Sequence, residues 1–330
     1  MNKSISILSA NSIELHYWFN DDSHSMDAVV FNKCEYEFLG IIKEFATKLK
    51  IDIEIETEPL ENGGLRSWLK FKPKQRSQNI NLSKQAFKIA LLTYLCTDVI
   101  FTPLTTTIQL ATTHAVERFF EDPEIQELKK KKEKAELEYD ITKIELETKA
   151  LSNKVDENLI KKKKSNYFES ISTYDKVQYV SISITDKNKQ LLKENKISRA
   201  LFPNYILSSN DIEPEITENA VIEIVSPVLK KGKYKWVGIF NGEVIPFNMK
   251  SNEFKTLVQT GKIEFKNGSS IICDLITNKI LNSEGEERIK GYDVLIVDKY
   301  FENNTPIETP EGRRNRHKKE AEKMQMKIDF

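Results

Sequence analysis

The residues best suited to chemistry lie in "DDSHSMD", residues 21–27, where His24 stands among Asp21, Asp22 and Asp27. A histidine beside carboxylates can act as a general base or ligate a metal. His16 and Glu35 would complete such a cluster if the fold brought them near. The competing account is structural. Serines and aspartates ahead of an apolar-periodic run cap a helix, and acids near its N-terminus are favoured by its dipole. Ser23 or Ser25 is the expected cap. Cys34 falls on the apolar face of that helix with no activating base in view, so a small buried hydrophobe is its expected role. Cys34, Cys96 and Cys273 are too sparse for a disulfide framework or a zinc site. No catalytic residue is assigned. His24, Asp27 and Trp236 are the weak candidates, no metal or cofactor is expected, and the expectation is a protein that is not an enzyme.

The elements that must position these residues follow from periodicity. "IELHYWF", 13–19, alternates with Ile13, Leu15 and Tyr17 on one face, as a strand does. Val30, Cys34, Phe38, Ile41, Ile42, Phe45 and Leu49 recur at helical spacing. "IDIEIET" and "LRSWLKFK" alternate on either side of "ENGG", which predicts a hairpin. Its outer rows set Asp52, Glu54 and Glu56 against Arg66, Lys70 and Lys72, a charge ladder that pins the register without any ligand. Residues 1–75 are therefore expected to be an α+β head, a small βαββ unit.

Residues 84–121 are the least polar stretch. Between Ile89 and Ala115 the only formal charge is Asp98. The length suits a bilayer, and lysines flank it, but threonines dilute it and Thr102-Pro103 looks like a cap and helix start that splits it into 84–100 and 103–120. The expected forms are a transmembrane span, a re-entrant segment or a buried hairpin, with residues 86–112 favoured at the membrane. In a bilayer Asp98 would be costly and so functional; in a buried hairpin it would cap a helix or pair with a cation.

Residues 122–164 read as one long charged helix started by Asp122-Pro123. Leu137, Ile141, Ile144, Leu151 and Val155 fall at alternating steps of four and three, the seam of a coiled coil that would assemble a homo-oligomer. The alternative is a helix packing on its own domain. Residues 165–302 combine a mixed region, with a strand at 176–185, a helix at "KNKQLLKEN" and a loop through "LFPNYILSSNDIEPEITEN", and a β-rich, barrel-like domain. Its expected strands include "AVIEIVSPVL", "YKWVGIF", "VIPFNM" and "KIEF". Asn241-Gly242 is a strong hairpin signal, and "SNEFKTLVQTG" is a helix capped by Ser251 and stopped by Gly261. Trp236, Phe240, Phe247, Phe265 and Tyr292 would stack bases if they faced outward. Residues 303–330 read as a basic, disordered tail whose "GRRNRHKK" suits nucleic acid, anionic lipid or an acidic protein. Lys+Arg and Asp+Glu are both 50, which excludes a global field for nucleic acid.

Two stretches, "HYWFNDDSHSMDAVVFNKCEYEFLGIIKEF" with "TEPLENGGLRSW", and "SPVLKKGKYKWVGIFNGEVIPFNMKSNEFKTLVQTGKIEFKNGSSIICDL", resemble a family of uncharacterised bacterial proteins encoded near phage-defence genes. The resemblance covers about half the chain. It implies a defence component with an apolar helical segment between its two ends, and no chemistry. The expected function is an oligomeric defence effector acting at the inner membrane, with most of the chain cytoplasmic. The alternative is a cytoplasmic coiled-coil adaptor that binds a protein or nucleic-acid partner through its β domain.

Overall fold

The computed structural model describes residues 7–21, 25–58, 65–74, 82–130, 135–151, 153–230, 232, 234–266, 268–302 and 305–326. The chain divides into two units, Met1–Ser209 with Ser283–Glu286, and Asn210–Asn282 with Glu287–Phe330.

The first unit is built on a five-stranded antiparallel sheet. Strands β1 (Ser12–Phe19), β2 (Ile53–Glu58), β3 (Leu65–Pro73), β4 (Val177–Thr185) and β5 (Leu191–Ser198) lie in the order β2-β3-β1-β4-β5. The expected alternation holds. Ile13, Leu15 and Tyr17 share a fully buried inner face with Leu69, Phe71, Val180, Ile182 and Ile184. The charge ladder forms too, with Glu54 opposite Lys72 and Glu56 opposite Lys70. The "ENGG" turn lies outside the described residues. Strand β5 corrects the expectation of a helix at 187–195. Its inward side chains include Lys193 and Asn195, so it lacks the apolar row that marks a strand.

Helix α1 (Ala28–Lys48) buries Cys34, Phe38, Ile41, Ile42 and Phe45 against that sheet. Its cap is Asp27, whose carboxylate accepts from the amides of Val29 and Val30, and not the serines. The apolar stretch forms α2 (Leu82–Phe101) and α3 (Ile108–Phe120), the second capped by Thr107, five residues beyond the expected cap at Thr102. Among the described residues no helix is long and apolar enough to cross a membrane. This overturns the membrane effector and its transmembrane helix. Ala90, Leu91, Leu92, Leu95, Val99, Ala115 and Phe119 instead join the core of the first unit. The threonines explain why so apolar a helix carries hydroxyls. Thr93, Thr97 and Thr112 each donate to the carbonyl four residues back, at 2.7–2.9 Å, and need no water.

Among the described residues no long coiled-coil helix is shown either. Helices α4 (Pro123–Lys130), α5 (Ala135–Lys149) and α6 (Glu157–Ser172) replace it, the last capped by Asp156. Ile141, Ile144, Leu151 and Val155 are buried in the same core as the sheet, so the stripe expected to assemble protomers is filled within the chain. The side chain of Leu137 lies outside the described residues.

The second unit is a mixed helix-and-strand body around a closed five-stranded barrel. Strands β6 (Asp211–Ser226), β7 (Trp236–Phe240), β8 (Glu243–Met249), β9 (Ser270–Leu281) and β10 (Glu287–Glu302) run β10-β8-β7-β6-β9, and a β9–β10 pairing closes the ring. Strands β8 and β10 are parallel, and α7 (Asn252–Gln259) separates β8 from β9. Numbered within the barrel, this is the order 1-2-3-5-4-1 with the helix between the third and fourth strands, the arrangement of an OB-type barrel. Asn241 and Gly242, both at positive φ, make the β7–β8 turn as expected. Ser251 caps α7 through the Phe254 amide at 3.0 Å, and Gly261 follows its end at φ +73°. "KIEF" is not a strand.

The expected disordered tail is ordered through residue 326, apart from residues 303–304, which lie outside the described residues. It forms β11 (Thr305–Glu308) on β10 and helix α8 (Pro310–Met326). Gly312 is the close approach: a Cβ there would collide with the Asp298 backbone. Asn315 donates to Asp298 at 3.0 Å and to Asp274 at 3.2 Å, and Lys319 meets Asp274 at 3.1 Å.

Candidate functional site

The residues singled out in the sequence do not converge. His24 lies outside the described residues, and Asp27 is spent on the α1 cap. Among the described residues there is no cluster of histidine, cysteine and carboxylate able to hold a metal. Cys34 is buried, and burial pushes its thiol up to about 12, so it stays a thiol at neutral pH. Burial raises Cys96 and Cys273 as well. Asp98 is buried and ion-paired with Lys193 and, at 3.5 Å, with Arg118. It has the buried-hairpin role of pairing with basic neighbours.

The barrel aromatics turn inward. Trp236 and Phe247 are core residues, and Trp236 packs within 5.7–6.2 Å of the rings of Phe247, Phe254 and Phe265. Phe240, Phe265 and Tyr292 lean on the same core. Four cations of α8 have acidic partners. Arg313 and Arg316 meet Glu308, Arg314 meets Glu253, and Lys319 meets Asp274 and Glu218.

Among the described residues two outward sheet faces remain to be considered. The first is the outward face of β6, β7 and β8. Val221 and Val225 of β6 are each 55% exposed and Val244 of β8 is 65% exposed. Ile239 sits between Glu223 and Val244, and Val237 faces Pro246. The surface is thus aliphatic with one acid, and it carries no aromatic ring. Exposed Leu229, Lys230, Tyr234 and Lys235 lie on the loop from β6 to β7 at its rim.

The second is the outward face of the five-stranded sheet. Small side chains on β4, Ser181, Ser183 and Thr185, leave room between the large ones of β1, β3 and β5. His16 stacks on Trp18 with centroids 3.9 Å apart, and the Trp18 indole donates to Ser181 at 3.0 Å. Lys196 lies 4.0 Å from the Trp18 ring centre, and Lys189 lies 4.8 Å from that of Trp68. Arg66 pairs with Glu14 at 3.3 Å. On this face lies a trough of about 430 Å³ lined by Glu14, His16, Arg66, Trp68, Thr185 and Lys189, among others. Of these, sequence reasoning considered only His16 and Arg66, and neither for this site. The available signal was the outer row of β1, which carries Glu, His and Trp where a plain solvated row would carry Lys, Thr or Ser.

The chain matches no protein-family model, no curated protein and no solved structure.

Proposed function

We propose that this chain is a non-enzymatic adaptor whose barrel docks a protein partner on the outward face of β6, β7 and β8. The observation that carries it is the aliphatic cluster of Val221, Val225, Val237, Ile239, Val244 and Pro246, three of them more than half exposed. Apolar area of this kind on a surface strand gains by leaving water, at about 25 cal/mol per Å². Protein is favoured over nucleic acid by what the face lacks. Single-strand binding needs outward aromatic platforms and free cations. Here Trp236 and Phe247 are core, exposed Tyr234 stands at the rim and not on the face, Arg314 and Arg316 of α8 are paired, and Glu223 stands within the patch. The basic rim at Lys230 and Lys235 suits a partner segment with an apolar centre and an acidic flank. The three free cysteines fit work in a reducing compartment. The resemblance to defence-neighbourhood proteins directs the partner search to the products of adjacent genes.

The test is the pair Val225→Asp and Val244→Asp, combined in one chain. A folded protein that no longer co-purifies with the partner retained by the wild type supports the reading. Undiminished co-purification, or tight binding of the wild type to a single-stranded oligonucleotide, contradicts it.

A further inference from the structure

The trough on the five-stranded sheet has a chemistry that the barrel reading leaves unused. Among the described residues, the indole N–H of Trp68, the Nε–H of Arg66 and the hydroxyl of Thr185 are buried in it and have no hydrogen-bond partner. The first two can only donate. Trp68 as a residue is 5% exposed and Thr185 1%. Buried donors left without an acceptor are uncommon in folded proteins, and each costs free energy that an occupant would recover. Arg66 and Lys189 add positive charge to the lining, against Glu14, which is paired with Arg66, and Glu194 on the outer edge. Lys189 also holds a left-handed backbone, φ 60°, at the end of the β4–β5 turn, where glycine or asparagine is the usual choice. Its chain is carried over the Trp68 ring toward the same space. The volume, about 430 Å³, is in the range of small-molecule sites.

We infer that this trough binds a small molecule through an anionic oxygen, a phosphate or a carboxylate, that accepts from Trp68, Arg66 and Thr185 with Lys189 beside it. An acceptor-rich, negatively charged group meets the unpaired donors and the Lys189 ammonium together. An ammonium or a hydrocarbon would meet neither. The trough belongs to the first unit and the docking face to the second, so each reading can fail alone.

The test is isothermal titration of the full chain with inorganic phosphate, AMP and succinate, alongside Trp68→Phe, which keeps the ring and removes the N–H, and Arg66→Lys, which keeps the charge and removes the Nε–H. At least one probe should bind the wild type. Each variant should weaken it about tenfold or more, the loss expected for a hydrogen bond to a charged group. Binding of phosphate and AMP without succinate assigns the phosphate, the reverse assigns the carboxylate, and a response to all three assigns a general oxyanion pocket. Should Trp68→Phe fail to fold, Arg66→Lys and the ligand-induced rise in wild-type melting temperature carry the test. Absence of binding by every probe at about 10 mM, where even millimolar affinity would register, overturns the inference. Unchanged affinity in both variants overturns it as well. Val244→Asp should leave the titration as it was.

Discussion

On the five-stranded sheet the outward row of β1 is Glu14, His16 and Trp18; on the barrel the outward row of β6 is Val221, Glu223 and Val225. Their inward rows are of one kind, Ile13, Leu15 and Tyr17 against Ala220, Ile222 and Ile224, all buried. Alternation of period two is thus equally good in both strands and specifies only which side is core. What differs is the solvent side. The sheet sets polar and aromatic groups around a trough, where orientation and hydrogen bonding decide what fits. The barrel sets aliphatic groups on a convex surface, where shape and loss of water decide. The inner rows account for the fold, and the outer rows carry the two proposals, a small polar ligand on the sheet and a protein partner on the barrel.

The largest effect should come from charging an inner position. Ile144→Glu with Leu151→Glu buries two unpaired carboxylates in the first unit, a loss of more than about 4 kcal/mol. Circular dichroism should show that unit unfolded. A folded chain of lower mass in light scattering would instead restore the coiled-coil seam.

Next is the inner aromatic of the barrel. Trp236→Ala should cost about 3–5 kcal/mol in urea unfolding, the range for an aromatic deleted from a packed core. A loss below about 1 kcal/mol, the scale of an ordinary surface substitution, would place Trp236 on the outside and reopen base stacking.

A third prediction uses pH. Lys164 is fully buried and donates to the carbonyls of Val99, at 2.8 Å, and Thr102 near the end of α2. Burial pushes its ammonium down to about 7, against about 10.4 in an unfolded chain. Between these values the unfolded chain holds a proton that the folded chain does not. Stability therefore rises with pH across the window, by up to about 1.4 kcal/mol per pH unit, and the penalty is complete below it. Lys164→Met lacks this term. The wild-type advantage over Lys164→Met should climb from pH 7 to pH 9 in urea titrations, and a flat difference would contradict the assignment.

The smallest stability effect belongs to the barrel's outer row. Val225→Asp and Val244→Asp should each change unfolding free energy by no more than about 0.5 kcal/mol, while partner binding is lost. A loss of several kcal/mol would mean that these valines are structural.

The elements that were legible in the sequence are those fixed by their own neighbours. The β1 alternation, the α1 stripe, the Ser251 cap and the Asn241-Gly242 turn each need only a few adjacent residues. The misread ones depend on distant partners. Strand β5 looked helical because Lys193 takes an inward place to reach Asp98, 95 residues away in the chain. The run Lys161–Lys164 reads as a solvated face. Yet Lys163 is buried against Glu37 at 3.1 Å, and Lys164 caps carbonyls inside the core. The seam of α5 has the same spacing that any helix uses to pack on a core, so periodicity alone could not say whether its partner was another chain or its own. The trough was invisible for a related reason: its lining comes from β1, β3, β4 and β5, and only the sheet order sets these residues side by side.

The most direct measurement is photo-crosslinking in cells from a reactive amino acid placed at Val244, with one at exposed Leu146 on α5 of the first unit as the control. The adaptor reading predicts a single protein adduct from position 244, absent at 146 and abolished by Val225→Asp. Adducts to nucleic acid, or equal yields from both positions, would contradict it.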